Sequence, residues 1–315
     1  AAMSDKVVPI DSFAADIFGF SEYLQSLLDQ ELLNFIARHA LSSKLADAVH
    51  YVLFPGGKRI RPLCLATLLV DCGGNVVSAV PAALSLELLH NASLIHDDLP
   101  ALDNDELRRG RATCHKVFGE ATAILAGDCM VSLANMALVD STVSPALSLE
   151  LSAWHSRAYF SLCDGQQLDL DGAASQEALL ELHARKTGAL FGASLASAAL
   201  ILQFSDEVVK QFAALGQDLG IYFQLVDDAL DQFGSDSQRG RAGSSDSRND
   251  KQTLFRNHSE YDAGEIVNGR RSSLYSAVGQ LEKHVQRSFT LFRGVLDSLD
   301  RRLEDCLPQV LDKAI

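Results

Sequence analysis

Paired cysteines and an excess of positive charge are both missing from this sequence. Its six cysteines form no C-x-x-C pair and most lie in apolar stretches, which predicts reduced core thiols in a cytosolic protein. They are Cys64, Cys72, Cys114, Cys129, Cys163 and Cys306. The formal net charge is -14, so nucleic acid and anionic membranes are expected to be repelled unless basic residues cluster locally.

Long apolar runs and a leader-like start are missing as well. No uninterrupted apolar stretch reaches the length of a membrane-spanning helix, about 18 residues or more. The first residues do not combine a basic region with an apolar one, as a secretion signal would. We therefore expect a cytoplasmic protein without a membrane span. Ala1 and Ala2 precede Met3 and are interpreted as a cloning remnant.

Strand-like alternation is almost absent, and helical periodicity takes its place. From about Ser21 to Asp231, apolar residues recur every three or four positions. Several segments are apolar around most of their circumference, as expected inside a bundle. The sequence therefore predicts an all-α, multi-helix bundle. A length of 315 residues does not require a second domain, so we predict a single domain over residues 1–315.

One segment near the C-terminus breaks this pattern. Residues 234–250, GSDSQRGRAGSSDSRND, are rich in Ser, Gly, Asp and Arg and have no apolar periodicity. Such a composition predicts a mobile surface loop. An amphipathic pattern resumes from Ser272 to Leu311, and within it residues 273–299, SLYSAVGQLEKHVQRSFTLFRGVLDSL, predict a helix.

A first group of aspartates closes a strongly apolar helix in the motif HDDLPALDND. It contains Asp97, Asp98, Asp103 and Asp105. Like charges this close raise one another's pKa, and a divalent cation with oxygen ligands relieves them. Pro100 interrupts the helix, so a turn can bring Asp97 and Asp103 to one ion.

A second group, in the motif VDDALD, contains Asp227, Asp228 and Asp231. Asp227 and Asp231 are four positions apart, so a helix projects both from one face. Two or three aspartates at a helix end are most often a solvated terminus. Two such groups, each closing an apolar run, instead favour magnesium sites that share a bound diphosphate.

Basic residues complement these acids at three places. In GGKRIRP, Gly56 and Gly57 allow close backbone approach, and Lys58 and Arg61 begin the next helix as an anion site. The second place holds Arg108 and Arg109, just after the first aspartates. The third is Lys186 with Thr187, where a cation lies in a mostly apolar helix.

Arg59 and Arg111 are interpreted as ordinary surface salt-bridge partners. His90, at the mouth of the acid-rich helix, is either a satisfied core histidine or a diphosphate contact.

These motifs come in the order found in one enzyme family. GGKRIRP is followed by ELLHNASLIHDDLPALDNDELRRGRATCH, AILAGD, GQQLDL, KTGALF and YFQLVDDALD. From about Tyr51 to Thr253 the chain resembles the trans-prenyl diphosphate synthases, in particular the farnesyl and geranylgeranyl diphosphate synthases. The resemblance implies an isoprenoid-synthase bundle with a central cavity, a homodimer, and Mg²⁺-assisted joining of isopentenyl diphosphate to an allylic diphosphate.

The resemblance also implies roles for individual residues. The isopentenyl diphosphate ligands would be Lys58, Arg61, His90 and Arg109. The allylic diphosphate or its carbocation would meet Arg108, Lys186, Thr187, Gln224, Arg241 and Lys251, with Lys186, Thr187 and Gln224 stabilising the cation. Three magnesium ions would be held by Asp97, Asp98, Asp103, Asp227, Asp228 and Asp231. Arg241 stands where the family has Lys, which changes the geometry of that contact. The 234–250 loop would close over the site.

Product length is expected to depend on the start of a hydrocarbon shaft below the first aspartates. In the family, an aromatic residue five positions before the first aspartate commonly ends the shaft at farnesyl length. Here Ala92 and Ser93 leave room. We therefore predict geranylgeranyl diphosphate, unless Leu88 or Leu89 stops the chain first.

Three other functions are compatible with part of the sequence. A class I terpene cyclase would share the fold but not DDALD or GGKRIRP. A ferritin-like di-iron protein needs two E-x-x-H motifs, and only Glu87 to His90 forms one. A noncatalytic partner subunit of a synthase would have lost its aspartate clusters. The sequence therefore favours the synthase.

Overall fold

The computed structural model describes residues 16–139, 142–172, 175–234, 255, 259–303 and 306–307. The first half contains α1 (Ile17–Arg38), α2 (Ser43–Leu53), α3 (Ile60–Asp71), a 3-10 turn (Val76–Ala79), α4 (Val80–Asp97), α5 (Cys114–Phe118) and α6 (Glu120–Val139). The second half contains α7 (Pro145–Asp171), α8 (Gln176–His183), a π-helical turn (Ala184–Gly188), α9 (Ala189–Ile201), α10 (Asp206–Phe233), α11 (Glu260–Val285) and α12 (Thr290–Arg301). Within these residues, the only strands are β1 (Leu107–Arg108) and β2 (Arg111–Ala112), an antiparallel hairpin. The predicted all-α class is confirmed.

Helices α4 and α9 form the centre of the bundle. α4 packs against α3, α6, α7 and α9, while α9 packs against α3, α7 and α10. Every residue of α9 from Ala189 to Leu200 is buried, as expected for a helix that is apolar all round. The aspartate-bearing end of α4 is therefore held rigidly by neighbours on several sides. The single-domain assignment over residues 1–315 stays a prediction.

The C-terminal helices differ from the helix predicted for residues 273–299. α11 already begins at Glu260 and ends at Val285. Gln286 then adopts a left-handed φ of 56°, which ends the helix, and α12 begins at Thr290. The prediction was wrong because the amphipathic pattern continues across this break, and periodicity alone does not reveal a change of backbone direction.

A buried carboxylate fastens these C-terminal helices to α10. Asp300 on α12 is 4% exposed and accepts a hydrogen bond from the Tyr222 hydroxyl on α10. Two groups from α11 also donate to it, Arg271 Nε at 2.7 Å and the Tyr275 hydroxyl at 2.9 Å. Breaking such a buried network leaves polar groups unpaired, so the end of α12 has a defined position.

One helix carries an unusual amount of apolar surface. Among the described residues, only α6 is long and apolar enough to cross a bilayer, and 44% of its most apolar window is buried in the chain. It packs against α2, α4, α5 and α7. Leu125 and Val139 on α6 are exposed, as are Leu149 and Phe160 on α7. Both α6 and α7 therefore carry exposed apolar side chains.

The cysteines follow the prediction only in part. Four of the six cysteines are buried: Cys64, Cys72, Cys114 and Cys306. Burial raises the pKa of the Cys64 thiol to about 12, which makes it unreactive. Cys129 is only half-buried and Cys163 is exposed, so these two were wrongly predicted to lie in the core. The apolar periodicity of α7 did not distinguish exposed from buried positions.

Candidate functional site

The first aspartate cluster is built by a turn at the end of α4. The helix ends at Asp97, and the chain folds back so that the Asp103 amide donates to the Asp97 carbonyl at 2.8 Å. The Asn104 amide donates to the Leu99 carbonyl at 3.0 Å, with Asn104 at a left-handed φ of 52°. The predicted return of Asp103 to Asp97 around Pro100 is confirmed for the backbone.

Three of the four carboxylates of this cluster, those of Asp97, Asp98 and Asp105, are buried, and their negative charges lie close together. Burial raises the pKa of Asp97 to about 6; Lys186 opposes this rise, while Asp103 adds to it. Burial likewise raises the pKa of Asp98, although Arg108 donates to both Asp98 oxygens, with Nε 2.8 Å from each of them. Arg108 therefore offsets only part of the negative charge, and the cluster has capacity for a further cation.

The second cluster lies on the uninterrupted helix α10. Arg302, just past the end of α12, donates to Asp227 Oδ1 at 2.6 Å. Burial raises the pKa of Asp227, and the Arg302 charge lowers it again in part. Asp228 is buried and accepts a hydrogen bond from Gln224 Nε2 at 2.9 Å, whereas Asp231 is exposed. The cluster thus contains one arginine-paired, one buried and one solvated carboxylate.

Side chains from α7 and the π-helical turn lie between the two clusters. Gln166 Nε2 on α7 donates to Asp103 at 3.2 Å. Lys186 Nζ donates to Asp169 at 2.7 Å, and the neighbouring Thr187 hydroxyl donates to Gln224 Oε1 at 3.2 Å. Burial alone would lower the pKa of Lys186, but Asp97 and Asp169 together raise it, so the ammonium stays charged.

The π-helical turn itself explains how Lys186 reaches the site from an apolar helix. The turn spans residues 184–188, between α8 and α9. A Cβ at Gly165 of α7 would approach the Lys186 amide nitrogen to 2.7 Å, so only glycine allows this close packing. Isolated π-helical turns occur frequently at functional sites because they redirect side chains. The periodicity of apolar residues predicted a helix here, but it did not predict that the backbone widens into a π-helical turn.

A cavity of about 450 Å³ opens beside the first cluster. Its wall includes Lys58, Asp98, Arg108 and Arg109. A Cβ at Gly57 would lie 3.0 Å from the Arg109 guanidinium, so the glycine lets the two segments approach. The predicted close approach at GGKRIRP is therefore confirmed for Gly57. A cavity lined by several cations suits a polyanionic ligand.

Arg61 and His90 lie behind this cationic wall. Arg61 is 7% exposed, and its guanidinium carbon is 4.7 Å from the centroid of the Phe191 ring. Burial lowers the pKa of Arg61 to about 10, and its Nε has no hydrogen-bond partner among the described residues. Burial and then the nearby arginines lower the pKa of His90 well below 6.5, so its ring is neutral. The charge of Glu87 opposes the fall in the pKa of Arg61, but the buried Arg61 Nε without a partner in the described chain favours an anionic ligand here.

Arg59 and Arg111 are not surface salt-bridge partners, so that prediction was wrong. Arg59 is 3% exposed and pairs with Glu87 at 2.7 Å and Asp29 at 2.9 Å. Arg111 is half-buried and stacks 3.9 Å from the Tyr51 ring centroid. Neither interaction was visible in the sequence, because the partners lie many positions away. Arg111 itself lines the cavity, whereas Arg59 is not part of its lining.

The two residues assigned to product length lie on the buried part of α4. Ala92 is fully buried in the core. Ser93 is also buried, and its hydroxyl donates to the His90 carbonyl at 2.7 Å. Their effect on product length stays a prediction. Arg241, Lys251 and almost all of the 234–250 loop lie outside the described residues, and their roles stay predictions as well.

Two residues of the site were not assigned a role from the sequence. No sequence pattern assigned Arg302 to the site, because the segment after Thr253 matches the family motifs poorly. Gln166 belongs to the GQQLDL motif, whose glutamine could have been recognised as a polar residue on an inward face. The structure brings Arg302 to the second cluster and Gln166 to the first.

The carboxylate oxygens of the two aspartate clusters are suitable ligands for magnesium. Within the described chain, no three His, Cys, Asp or Glu side chains are already grouped to hold an ion. Mg²⁺ needs no such group, because it takes one or two carboxylates, several waters and phosphate oxygens from the substrate. Asp97, which is buried, and Asp227, which is partly exposed, both have raised pKa values and would gain most from a bound cation.

Comparisons with known proteins agree with this geometry. Residues 42–286 match the polyprenyl synthetase family model. Farnesyl diphosphate synthase of Micrococcus luteus is 39% identical over 262 residues, which cover 82% of this chain and 89% of that protein. Geranylgeranyl diphosphate synthase of Cyanophora paradoxa is 39% identical over 216 residues, covering 66% of this chain and 72% of that protein.

Solved structures show the same architecture. A geranyltransferase from Helicobacter pylori, complexed with magnesium and isoprenyl diphosphate, superposes with a TM-score of 0.76 at 26% identity, covering 96% of this chain and 99% of that one. A geranyltranstransferase from Thermotoga maritima gives a TM-score of 0.74 at 26% identity, covering 90% and 99%. The predicted isoprenoid-synthase type of bundle is confirmed. The chain therefore belongs to the polyprenyl synthetase family, among the trans-prenyl diphosphate synthases.

Proposed function

We propose that this chain condenses isopentenyl diphosphate with allylic diphosphates and that its main product is geranylgeranyl diphosphate. The broader statement follows from family membership and relatives: the chain is a short-chain trans-prenyl diphosphate synthase, a prenyltransferase. The observation that carries the proposal is the cavity of about 450 Å³ in which Lys58, Arg108 and Arg109 face Asp98.

Isopentenyl diphosphate would bind at the cationic wall. Lys58 and Arg109 line the cavity, and buried Arg61 supplies positive charge behind them. Arginine forks match phosphate oxygens well, and each contact is charge-assisted. His90 is neutral, so it would donate one hydrogen bond to the diphosphate without adding charge.

The allylic diphosphate would bind between the two aspartate clusters. Asp97, Asp98, Asp103, Asp227, Asp228 and Asp231 would hold the magnesium ions. When bound, magnesium neutralises charge that builds up on the departing diphosphate. Arg108 and Lys186 would orient the same group from the protein side, and we propose three ions in the loaded site. Magnesium in the related Helicobacter pylori complex supports this assignment.

The reaction would begin with heterolysis of the allylic C–O bond, whose electron pair leaves with the diphosphate. The isopentenyl double bond then attacks the allylic cation and forms the new C–C bond. The Thr187 hydroxyl and the Gln224 amide would stabilise the cation as preoriented dipoles. The proton lost at the end would pass to the released diphosphate, so no protein nucleophile is needed.

Product length is assigned from Ala92, whose small side chain leaves the start of the shaft open. Ala92→Phe should shorten the main product from geranylgeranyl to farnesyl diphosphate, because the ring would fill the space of the last isoprene unit. Product chromatography checks this result. An unchanged product distribution in folded Ala92→Phe would contradict the pocket assignment.

We also propose a cytoplasmic homodimer. The cytoplasmic location rests on the scattered cysteines of the sequence, which form no C-x-x-C pair. The dimer rests on the exposed apolar residues of α6 and α7, including Leu125, Val139, Leu149 and Phe160. Sedimentation of the wild type and of Phe160→Glu tests the dimer, since a charge in a dry interface should favour the monomer.

The function itself is tested by turnover with isopentenyl diphosphate, Mg²⁺ and dimethylallyl, geranyl or farnesyl diphosphate. We expect products extended by isoprene units, with geranylgeranyl diphosphate predominating. Cyclic hydrocarbons instead of diphosphates would indicate a terpene cyclase. If the folded protein by itself consumes no primer, it is better explained as a noncatalytic subunit.

A further inference from the structure

A buried polar layer crosses the bundle far from the charged site. Ser85 on α4, His155 on α7 and Ser197 on α9 form it, and each is at most 1% exposed. Ser85 Oγ is hydrogen-bonded to His155 Nδ1 at 2.8 Å, and His155 Nε2 to Ser197 Oγ at 2.9 Å. The imidazole therefore joins three helices that otherwise pack through apolar side chains.

The hydrogen bonds of this layer are all satisfied by a neutral ring. The Ser197 hydroxyl donates to the Ala193 carbonyl at 2.7 Å, so it accepts from His155 Nε2. His155 Nδ1 then accepts from the Ser85 hydroxyl. Burial lowers the pKa of His155 to about 3, which keeps the ring uncharged. Displacing the ring would break two buried hydrogen bonds, so the layer is a firm barrier.

The three residues lie at similar depth below the reaction site. On each helix, the layer residue is eleven or twelve positions from a residue of the site: Asp97 on α4, Gln166 on α7 and Lys186 before α9. At 1.5 Å per residue, these separations are about 18 Å, 16 Å and 16 Å along the helices. The layer is thus a transverse plane at nearly one depth.

The layer also lies on the faces that look toward the shaft. Ser85 is seven positions before Ala92, two helical turns deeper on the same face of α4. His155 is eleven positions before Gln166, about three turns deeper on the face of α7 that reaches Asp103. A chain that grows downward past Ala92 therefore approaches the layer.

The depth of the layer matches a particular chain length. An extended covalent chain advances roughly 1.2 Å per bond, so three isoprene units reach about 14 Å and four reach about 19 Å. A farnesyl chain would end above the layer, whereas the end of a geranylgeranyl chain would meet it. A fifth unit would need the space that the imidazole occupies.

We propose that the Ser85–His155–Ser197 layer is the floor of the product shaft and that His155 stops elongation after the fourth isoprene unit. This inference rests on the proposed function, because it concerns the same shaft. Ser85 and Ser197 are positioning residues that hold the ring across the shaft. His155 is the residue that the end of the product would touch.

A second cavity lies beside the helices just above the layer, because Leu89 is four positions nearer to Asp97 than Ser85 is, and Tyr159 is four positions nearer to Gln166 than His155 is. It has a volume of about 190 Å³, and its lining includes Leu89 on α4 and Ser156 and Tyr159 on α7. Ser156 follows His155 in the chain, and Tyr159 is one helical turn away on the same face as His155. Truncation of His155 would therefore add space next to an existing void.

The test compares the products of the wild type and His155→Ala with farnesyl diphosphate as primer and isopentenyl diphosphate in excess. We expect the main product of His155→Ala to be longer by at least one isoprene unit. His155→Gln, which refills most of the space and keeps hydrogen-bonding groups, should restore the wild-type length. Leu281→Ala removes a buried side chain from α11 instead and should lower stability without changing product length.

The outcomes separate this inference from the proposed function. If the wild type extends no primer, the proposed function fails. If the wild type is active and folded His155→Ala gives the same product distribution, the floor assignment fails. If His155→Ala does not fold, His155→Asn takes its place in the test. The asparagine side chain keeps a polar group in the layer but is shorter than the imidazole. Unchanged products from folded His155→Asn would also overturn the inference.

Discussion

The two aspartate clusters contain the same residue type but are organised differently. Asp98 in the first cluster is clamped by Arg108, ten positions away, within one turn and hairpin. Asp227 in the second cluster pairs with Arg302, 75 positions away on the C-terminal segment. The first cluster is thus completed largely by local structure, whereas the second depends on the docking of α11 and α12. The comparison suggests that the first cluster is preorganised and the second is adjustable.

The largest expected effect is on turnover at the first cluster. Asp97→Asn should reduce kcat by roughly 100- to 1000-fold, because a buried carboxylate that would hold magnesium is lost. Asp231→Asn, at the exposed end of the second cluster, should reduce kcat by a smaller factor. Steady-state kinetics at saturating Mg²⁺ measure both losses. Glu150→Gln, an exposed acid on α7, is the matched control. Equal losses of kcat in Asp97→Asn and Asp231→Asn would contradict the proposed difference between a preorganised first cluster and an adjustable second cluster.

The docking of the C-terminal helices can be broken at Asp300. Asp300→Asn replaces a buried acceptor of three hydrogen bonds and should lower the free energy of unfolding by about 3 kcal/mol. Urea denaturation measures this change. Asp297→Asn, at an exposed neighbour that accepts a hydrogen bond from the Tyr275 hydroxyl, should change the free energy of unfolding by less than about 1 kcal/mol. A similar small effect for both variants would show that α12 is held by apolar contacts alone.

The pH dependence of stability sharpens the contrast at Asp97. Its pKa rises from 3.8 to about 6 on folding, so the folded protein binds this proton more tightly than the unfolded chain. Stability is therefore lost as the pH rises from about 4 to 6, by up to about 3 kcal/mol. Without Mg²⁺ or substrate, Asp97→Asn should be more stable than the wild type at pH 7.5 and equal to it at pH 4.

Urea unfolding at both pH values checks the Asp97 expectation, with exposed Asp231→Asn as the control. A variant that is less stable than the wild type at pH 7.5 would show that Lys186 and Arg108 fully compensate the buried charge. In that case the first cluster would not be the strained one.

The smallest expected effect is at Arg302. In the free protein, Arg302 must leave Asp227 before a metal ion binds there. Arg302→Ala should therefore tighten binding of Mg²⁺ with inorganic diphosphate by about two- to fivefold, the value of a partly exposed ion pair. Calorimetry measures this affinity, Arg302→Lys should stay near the wild type, and Arg301→Ala is the neighbouring control. Weaker binding by Arg302→Ala would mean that Arg302 contacts the diphosphate instead.

Much of the site could be predicted from the sequence because its determinants are local. The turn from Asp97 to Asp103 follows from Pro100, and the close approach at Gly57 follows from the absence of a side chain. The buried pairing of Arg59 with Glu87 could not be predicted, because charge alone does not reveal whether an arginine lies on a surface. The break at Gln286 was missed for a similar reason, since amphipathic periodicity continues on both sides of it.

The sequence by itself determined the helical class, the two aspartate clusters and the ordered motifs of the family. Each depends on the period of apolar residues or on chemical groups that lie within a few positions of one another. Only the tertiary structure decided that Arg302 reaches Asp227 and that Ser85, His155 and Ser197 meet in one layer. Those contacts join residues between 42 and 75 positions apart, and their formation depends on how whole helices pack. A local pattern cannot specify such packing, because many arrangements would bury the same apolar faces.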